Sequence, residues 1–182
     1  MTEPMPSPIW VDSLGGPLIV LPATLLPDWR GSAAEDEPAD ADDDYERACA
    51  VDEYAAAIPV GDGEGLVLGD EPAMTCYLPE HRAFLRWIAA DSETDLFARA
   101  AEVLADPTAT WQDCGMWATD GPAVLMDSVY AGPELATRDT FGDLPAQATV
   151  PVPSGRWSVR VATDDRAPHT WLVLVRLDPA VP

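Results

Sequence analysis

At 182 residues, 47% of them apolar and 8% aromatic, the chain can bury roughly 70% of its unfolded surface and needs no disulfide or metal to hold a core. Its 32 acids against ten bases, all arginine, give a formal charge of −22, which excludes nucleic acid and anionic membrane as partners because both require a cationic footprint. No run approaches the ~20 apolar residues of a membrane helix, and the opening MTEPMPSPIW has neither the basic start nor the apolar core of a signal segment, so a single cytoplasmic domain is expected.

Gly15, Gly16 and Pro17 interrupt the chain ahead of Leu18, Ile19, Val20 and Leu21, an aliphatic run that reads as a buried strand closed by Pro22. Residues 24–29 have room for one helical turn. From 33 to 44 there is no aromatic and no large aliphatic side chain, only Ala, Asp, Glu and one Pro. Burial cannot offset the ordering entropy of such a segment, and a mobile acidic insert is expected there. Residues 45–51 fit a short strand or a short helix equally well. Strands are expected at 57–60 and 66–68, on either side of Gly61-Asp62-Gly63-Glu64-Gly65, whose alternating glycines permit the positive φ of a tight hairpin. Gly69-Asp70-Glu71-Pro72 makes a second turn, and 74–78 a further strand.

Pro79 suits the first position of a helix, and Phe84, Leu85, Trp87 and Ile88 then give the spacing of a core-facing stripe. Ser92 with Asp95 resembles a capping box for a second helix, with Leu96, Phe97, Ala100, Val103 and Leu104 inward and Asp106-Pro107 at its end. Strands at 111–118 and 123–128 flank a turn at 119–122 and read as a hairpin, and 138–148 reads as loop. Trp157, Val159 and Val161 alternate with Arg156, Ser158 and Arg160. Trp171, Val173 and Val175 repeat the pattern, with Leu172 and Leu174 on the opposite face, and 164–168 joins the two as an antiparallel hairpin. The expected fold is α+β: a mostly antiparallel sheet with two consecutive helices packed on one face, in a single domain.

Sites that might carry chemistry are weak. In GDGEG at 61–65 the third glycine comes one residue early for a dinucleotide fingerprint, and the following LVL reads as strand, not helix. As a calcium loop it has Ala73 where a bidentate glutamate is needed. His81 has Leu85 four residues on, where a metal pair would need a second histidine, and the only other histidine is His169. Cys49, Cys76 and Cys114 form no CxxC pair and read as three free, buried thiols; pairing Cys114 with His169 as nucleophile and base has no local support. Ser128 and Ser154 lie in no nucleophile elbow. No catalytic residue, metal or cofactor is expected. Of the seven tryptophans, Trp87, Trp157 and Trp171 sit on apolar stripes and read as core. Trp10 and Trp29 fit either interface anchors or covers for a sheet edge.

The turns and apolar runs together carry a resemblance. IPVGDGEGLVLGDEPAMTCYLPEHRAFLRW at 58–87, with WVDSLGGPLIVLP at 10–22, LPEHRAFLRWIAADSE at 78–93, DGPAVLMDS at 120–128 and VPVPSGRWSVR at 150–160, resembles the immunity protein 21 family, the proposed protective partners of bacterial polymorphic toxins. The resemblance implies a non-enzymatic, stoichiometric inhibitor that binds and neutralises a cognate toxin domain. Charge adds a point of its own. Eight acids fall within 35–46, yet the remainder still holds 24 acids against the ten arginines. Such a surface suits a basic partner, as a nuclease would be, and speeds the encounter. The same charge also serves solubility, and composition does not separate the two uses. Acidic hairpin tips project from a sheet, so Asp62, Glu64, Asp70 and Glu71, flanked by Tyr77, are the candidate contacts. The rival from another class is a small enzyme or regulatory domain with no recognisable motif, which would require a concave apolar pocket with convergent polar groups.

Overall fold

The computed structural model describes residues 7–32, 43–69 and 71–180. Two antiparallel sheets face each other. The first has six strands in the order β1 (Trp10–Val11), β5 (Thr75–Leu78), β6 (Ala83–Ala89), β11 (Thr170–Pro179), β10 (Gly155–Ala167) and β7 (Gln112–Thr119). The second has five, in the order β3 (Ala56–Val60), β4 (Gly63–Leu68), β2 (Leu18–Pro22), β8 (Ala123–Asp127) and β9 (Gln147–Val150). The sheets approach at both margins: β7 lies against β3 and β4, and β1 against β8 and β9.

Strand alternation sorts the apolar residues into three clusters. Leu18, Val20, Leu66 and Leu125 of one sheet meet Phe84, Trp117, Val159 and Val175 of the other in the space between them. Ile19, Leu21, Val67 and Met126 point outward, yet they too are buried, under Trp29, Ala48 and Leu135. That double covering is why β2 reads as an unbroken aliphatic run instead of an alternating one. Its cover consists of 3-10 turns at Ala23–Asp28 and Gly132–Ala136 and the short helix α1 (Asp44–Cys49). The two turns are in close contact: a methyl group on Gly132 would come within 1.8 Å of the Leu26 carbonyl oxygen. On the opposite outer face, α2 (Glu93–Ala105) buries Leu96, Ala100 and Val103 against Cys76, Leu85, Leu172 and Leu174.

Several expectations hold. The alternation at 157–161 and 171–175 is the long β10–β11 hairpin, although its turn falls at Pro168 and His169 instead of 164–168, because β10 runs on to Ala167. Ser92 caps α2 by accepting from the Asp95 N–H. The ambiguous stretch at 45–51 resolves as α1, capped by Asp43. Of the expected acidic insert, residues 33–42 lie outside the described residues, and Asp44 is buried, accepting from the Arg30 N–H and from Arg47.

Three expectations are corrected. The one sheet expected is two, packed face to face, because the chain crosses between them after β1, β4, β7 and β9. The first of the two consecutive helices does not exist. Pro79–His81 is one 3-10 turn, Arg82 takes a left-handed φ of 46°, and the chain re-enters the sheet as β6. Phe84, Leu85, Trp87 and Ile88 mimic a helical stripe because β6 is buried on both faces, with Phe84 in the inter-sheet core and Leu85 beside α2. The strands at 112–119 and 123–127 likewise form no hairpin: β7 pairs with β10, and β8 with β2 and β9. The turn between them passes the chain from one sheet to the other.

Candidate functional site

The β3–β4 hairpin turns at Gly61, whose φ of 52° favours glycine, and at the exposed Asp62. Other acids meet it there. A methyl group on Gly61 would come within 2.5 Å of Asp28 Oδ2, and Asp120 accepts at 2.7 Å from the hydroxyl of Thr24, which belongs to the same 3-10 turn as Asp28. Asp28, Asp62 and Asp120 are all exposed. Glu64 differs. Its carboxylate accepts the Ala118 N–H at 3.0 Å and its carbonyl accepts Trp117 Nε1–H at 3.1 Å, so it fastens β4 to β7 and closes one margin of the sandwich.

Glu71 lies beyond the other end of β4. Five strand steps separate Gly63 from Leu68, so the two acidic turns stand roughly 17 Å or more apart. The Glu71 side chain is exposed, while its carbonyl accepts from Arg86, a buried guanidinium that also donates to the Gly69 carbonyl. Asp70 lies outside the described residues. Tyr77 is buried with its ring 5.0 Å from that of Phe84, and burial pushes its hydroxyl pKa up. It is a core residue that also forms one wall of an apolar groove of about 450 Å³, together with Ile9, Leu78, Pro79, Phe97 and Ala148.

Ten arginines offset the 32 acids only in part, and several are already paired within the fold. Arg47 pairs with Asp44, Arg99 and Arg166 with Asp164, and Arg176 with Asp178. Arg176 also lies 4.0 Å above the Trp111 ring, and Arg82 lies 5.6 Å from that of Trp157. Arg30, Arg82, Arg138, Arg156 and Arg166 are exposed, so the surface carries scattered positive charge while the acidic turns face solvent.

The tryptophan and cysteine expectations change in part. Trp29 is fully buried, donating to the Ser128 carbonyl, so it is core and not an interface anchor. Trp10 is half-buried against Trp87 and Phe97 and donates to Glu93 at 3.0 Å. Trp171, read as core, is 53% exposed at the end of β11. Cys76 is buried, Cys114 half-buried, and Cys49 exposed, contrary to three buried thiols. Burial pushes the Cys76 thiol up to about 12. Burial also raises Cys114, as do Asp113 and Glu53 nearby, which is the opposite of what activates a nucleophile. A thiol reagent at neutral pH is therefore expected to modify Cys49 first, Cys114 more slowly, and Cys76 only after unfolding. Rapid labelling of Cys76 in the folded protein, followed by mass spectrometry, would contradict its position beneath α2. Among the described residues no three His, Cys, Asp or Glu side chains are grouped to hold a metal ion, and no helix is long and apolar enough to cross a membrane.

Sequence reasoning missed Ile9, Phe97 and Ala148 as groove residues, and Asp28 and Asp120 as acids near the Asp62 turn, because each set is drawn from separate segments. Exposed Ile9, beside Pro8 and Trp10, was the one local signal.

No curated protein matches the chain, and no solved structure matches it. The family model for immunity protein 21 matches residues 9–170, a span that takes in α1, α2 and every strand except β11, of which it reaches only Thr170. The chain belongs to the immunity protein 21 family.

Proposed function

We propose that this chain binds and neutralises the toxin domain of a bacterial polymorphic toxin system, acting in the cytoplasm as a stoichiometric inhibitor without catalysis of its own. Membership of an immunity-protein family across residues 9–170 is the observation that carries this reading. The charge distribution supports a cationic toxin domain, such as a nuclease. Asp62 and Glu71, exposed on turns at opposite ends of β4, are proposed to meet its basic surface, with Asp70 beside Glu71. Glu64 contributes charge at the same end as Asp62 while holding the sheets together.

The groove beside Tyr77 is the concavity that an enzyme reading would require. Its lining is dominated by apolar side chains, and among the described residues that form it Glu80 is the one charged residue. That is a surface for contact, without the convergent acid, base and nucleophile of a reaction centre.

Co-expression tests the proposal. Cells producing the toxin domain encoded beside this chain are expected to survive only when the chain is also produced, and the two proteins are expected to co-purify at a fixed ratio. Rescue without a complex would indicate an activity on the toxin's product or target instead. Absence of both rescue and complex would remove the immunity reading for that toxin.

A further inference from the structure

We infer that the groove between β1, β5 and β9 receives an apolar side chain carried on a cationic segment of the toxin, an inference that rests on the function proposed above. The groove lies where the two sheets meet at one margin, and its walls come from four separate parts of the chain: Ile9, Tyr77 with Leu78, Phe97, and Ala148. Ile9 is 60% exposed, an uncovered aliphatic side chain at the lip. The wall is held in place before any partner arrives. Trp10 lies 5.5 Å from Trp87 and 5.9 Å from Phe97, ring to ring, and its indole N–H is fixed on Glu93. Tyr77 packs at a tilt against Phe84 behind it. A pre-formed apolar seat loses little freedom on binding, which favours a tight, slowly released contact.

Charge selects the occupant. Among the described residues Glu80 is the charged one of the lining, Glu93 accepts from Trp10, exposed Arg82 lies two residues beyond Glu80, and the chain as a whole carries −22. A second copy of the same chain would bring the same negative charge and be repelled. A segment with one large aliphatic or aromatic residue flanked by Arg or Lys satisfies both the groove and its acidic lip.

The test uses random twelve-residue peptides displayed on phage, selected against the intact folded chain, with the enriched sequences synthesised and titrated by fluorescence anisotropy. The enriched peptides are expected to pair a large apolar residue with at least two bases. Ile9→Asp is expected to weaken them at least tenfold and Glu80→Gln about threefold, whereas Phe141→Asp, at an exposed apolar residue outside the groove, leaves them unchanged. Ile9, Glu80 and Phe141 are all exposed, so the three variants are expected to keep the fold, which circular dichroism checks. Enrichment of peptides without bases, equal weakening by Phe141→Asp, or self-association that Ile9→Asp abolishes would each overturn the assignment. Co-expression keeps the two readings apart. If the chain rescues cells but Ile9→Asp rescues equally and its toxin complex dissociates no faster, the groove assignment fails while the immunity function stands.

Discussion

Replacing Asp164 with alanine is expected to destabilise the fold by about 3 kcal/mol, which for a chain of this length lowers the melting temperature by roughly 6–12 °C. The Asp164 side chain is 1% exposed at the end of β10. Arg99 of α2 grips it with two bonds, Nε–H to Oδ2 at 2.6 Å and Nη2–H to Oδ1 at 2.8 Å, and Arg166 adds a third at 2.6 Å. The carboxylate therefore clamps α2 to the sheet beyond what Leu96, Ala100 and Val103 do by packing. Without it, Arg99 keeps only the exposed Glu102 as an ionic partner. Asp164→Asn preserves volume and removes the charge, so a loss nearly as large as that of alanine identifies the ion pair as the cause. An unchanged melting temperature at pH 7 in both variants would assign the docking of α2 to its apolar face alone.

The same group makes the clamp sensitive to acid. Bonding to Arg99 holds the Asp164 carboxyl below the ordinary carboxylate range, against a burial that pushes it upward. A depressed folded pKa means that the stabilisation is complete above the unfolded value of about 3.9 and is lost as pH falls through the lower folded value. Thermal melts taken from about pH 5 downward should show the wild-type advantage over Asp164→Asn shrinking with acid. An advantage independent of pH over that window would mean that the carboxylate is not the titrating group.

Where structure followed from short-range pattern, the sequence was readable. β10 and β11 announce themselves because Trp157, Val159 and Val161 go inward while Ser158 and Arg160 do not, and the two strands pair directly with each other. Helix α2 has both a cap at Ser92 and one apolar face. β6 was not readable because both its faces are covered, and periodicity cannot separate a doubly buried strand from a helical stripe. Arg86 should have weakened the helix reading, yet its burial depends on the carbonyls of Gly69 and Glu71, supplied by the crossing from β4 to β5. No local signal reports that crossing.

The candidate site was legible to a similar extent. Asp62 is exposed at a turn, as its glycine neighbours imply. What Glu64 does was hidden, because its partner is the backbone of Ala118, more than fifty residues away. Tyr77 looked like a flanking aromatic and is a core residue with one side on a groove. The groove itself is a product of sheet closure. Ile9, Phe97 and Ala148 acquire a common surface only when β1 and β9 come together.

Steering and anchoring should then be separable in the kinetics of the toxin complex. With −22 overall and Arg47, Arg99, Arg166 and Arg176 already paired with its own acids, the chain is expected to associate with a cationic toxin domain fast at low salt. The rate should fall roughly tenfold or more as the Debye length shrinks from ~10 Å at 0.1 M to ~3 Å at 1 M salt. Neutralising Asp62 and Glu71 together should slow association a few-fold, flatten that salt dependence and leave dissociation nearly unchanged, because rim charges act mainly on the encounter. Glu64→Ala should behave differently: loss of its bond to the Ala118 N–H loosens β4 from β7, lowering stability by about 1–2 kcal/mol alongside any kinetic effect. Ile9→Asp should accelerate dissociation instead. Surface plasmon resonance at several salt concentrations distinguishes these outcomes. An association rate indifferent to salt would remove steering by the acidic turns, whatever the rescue assay reports, since protection requires only that the complex form and last.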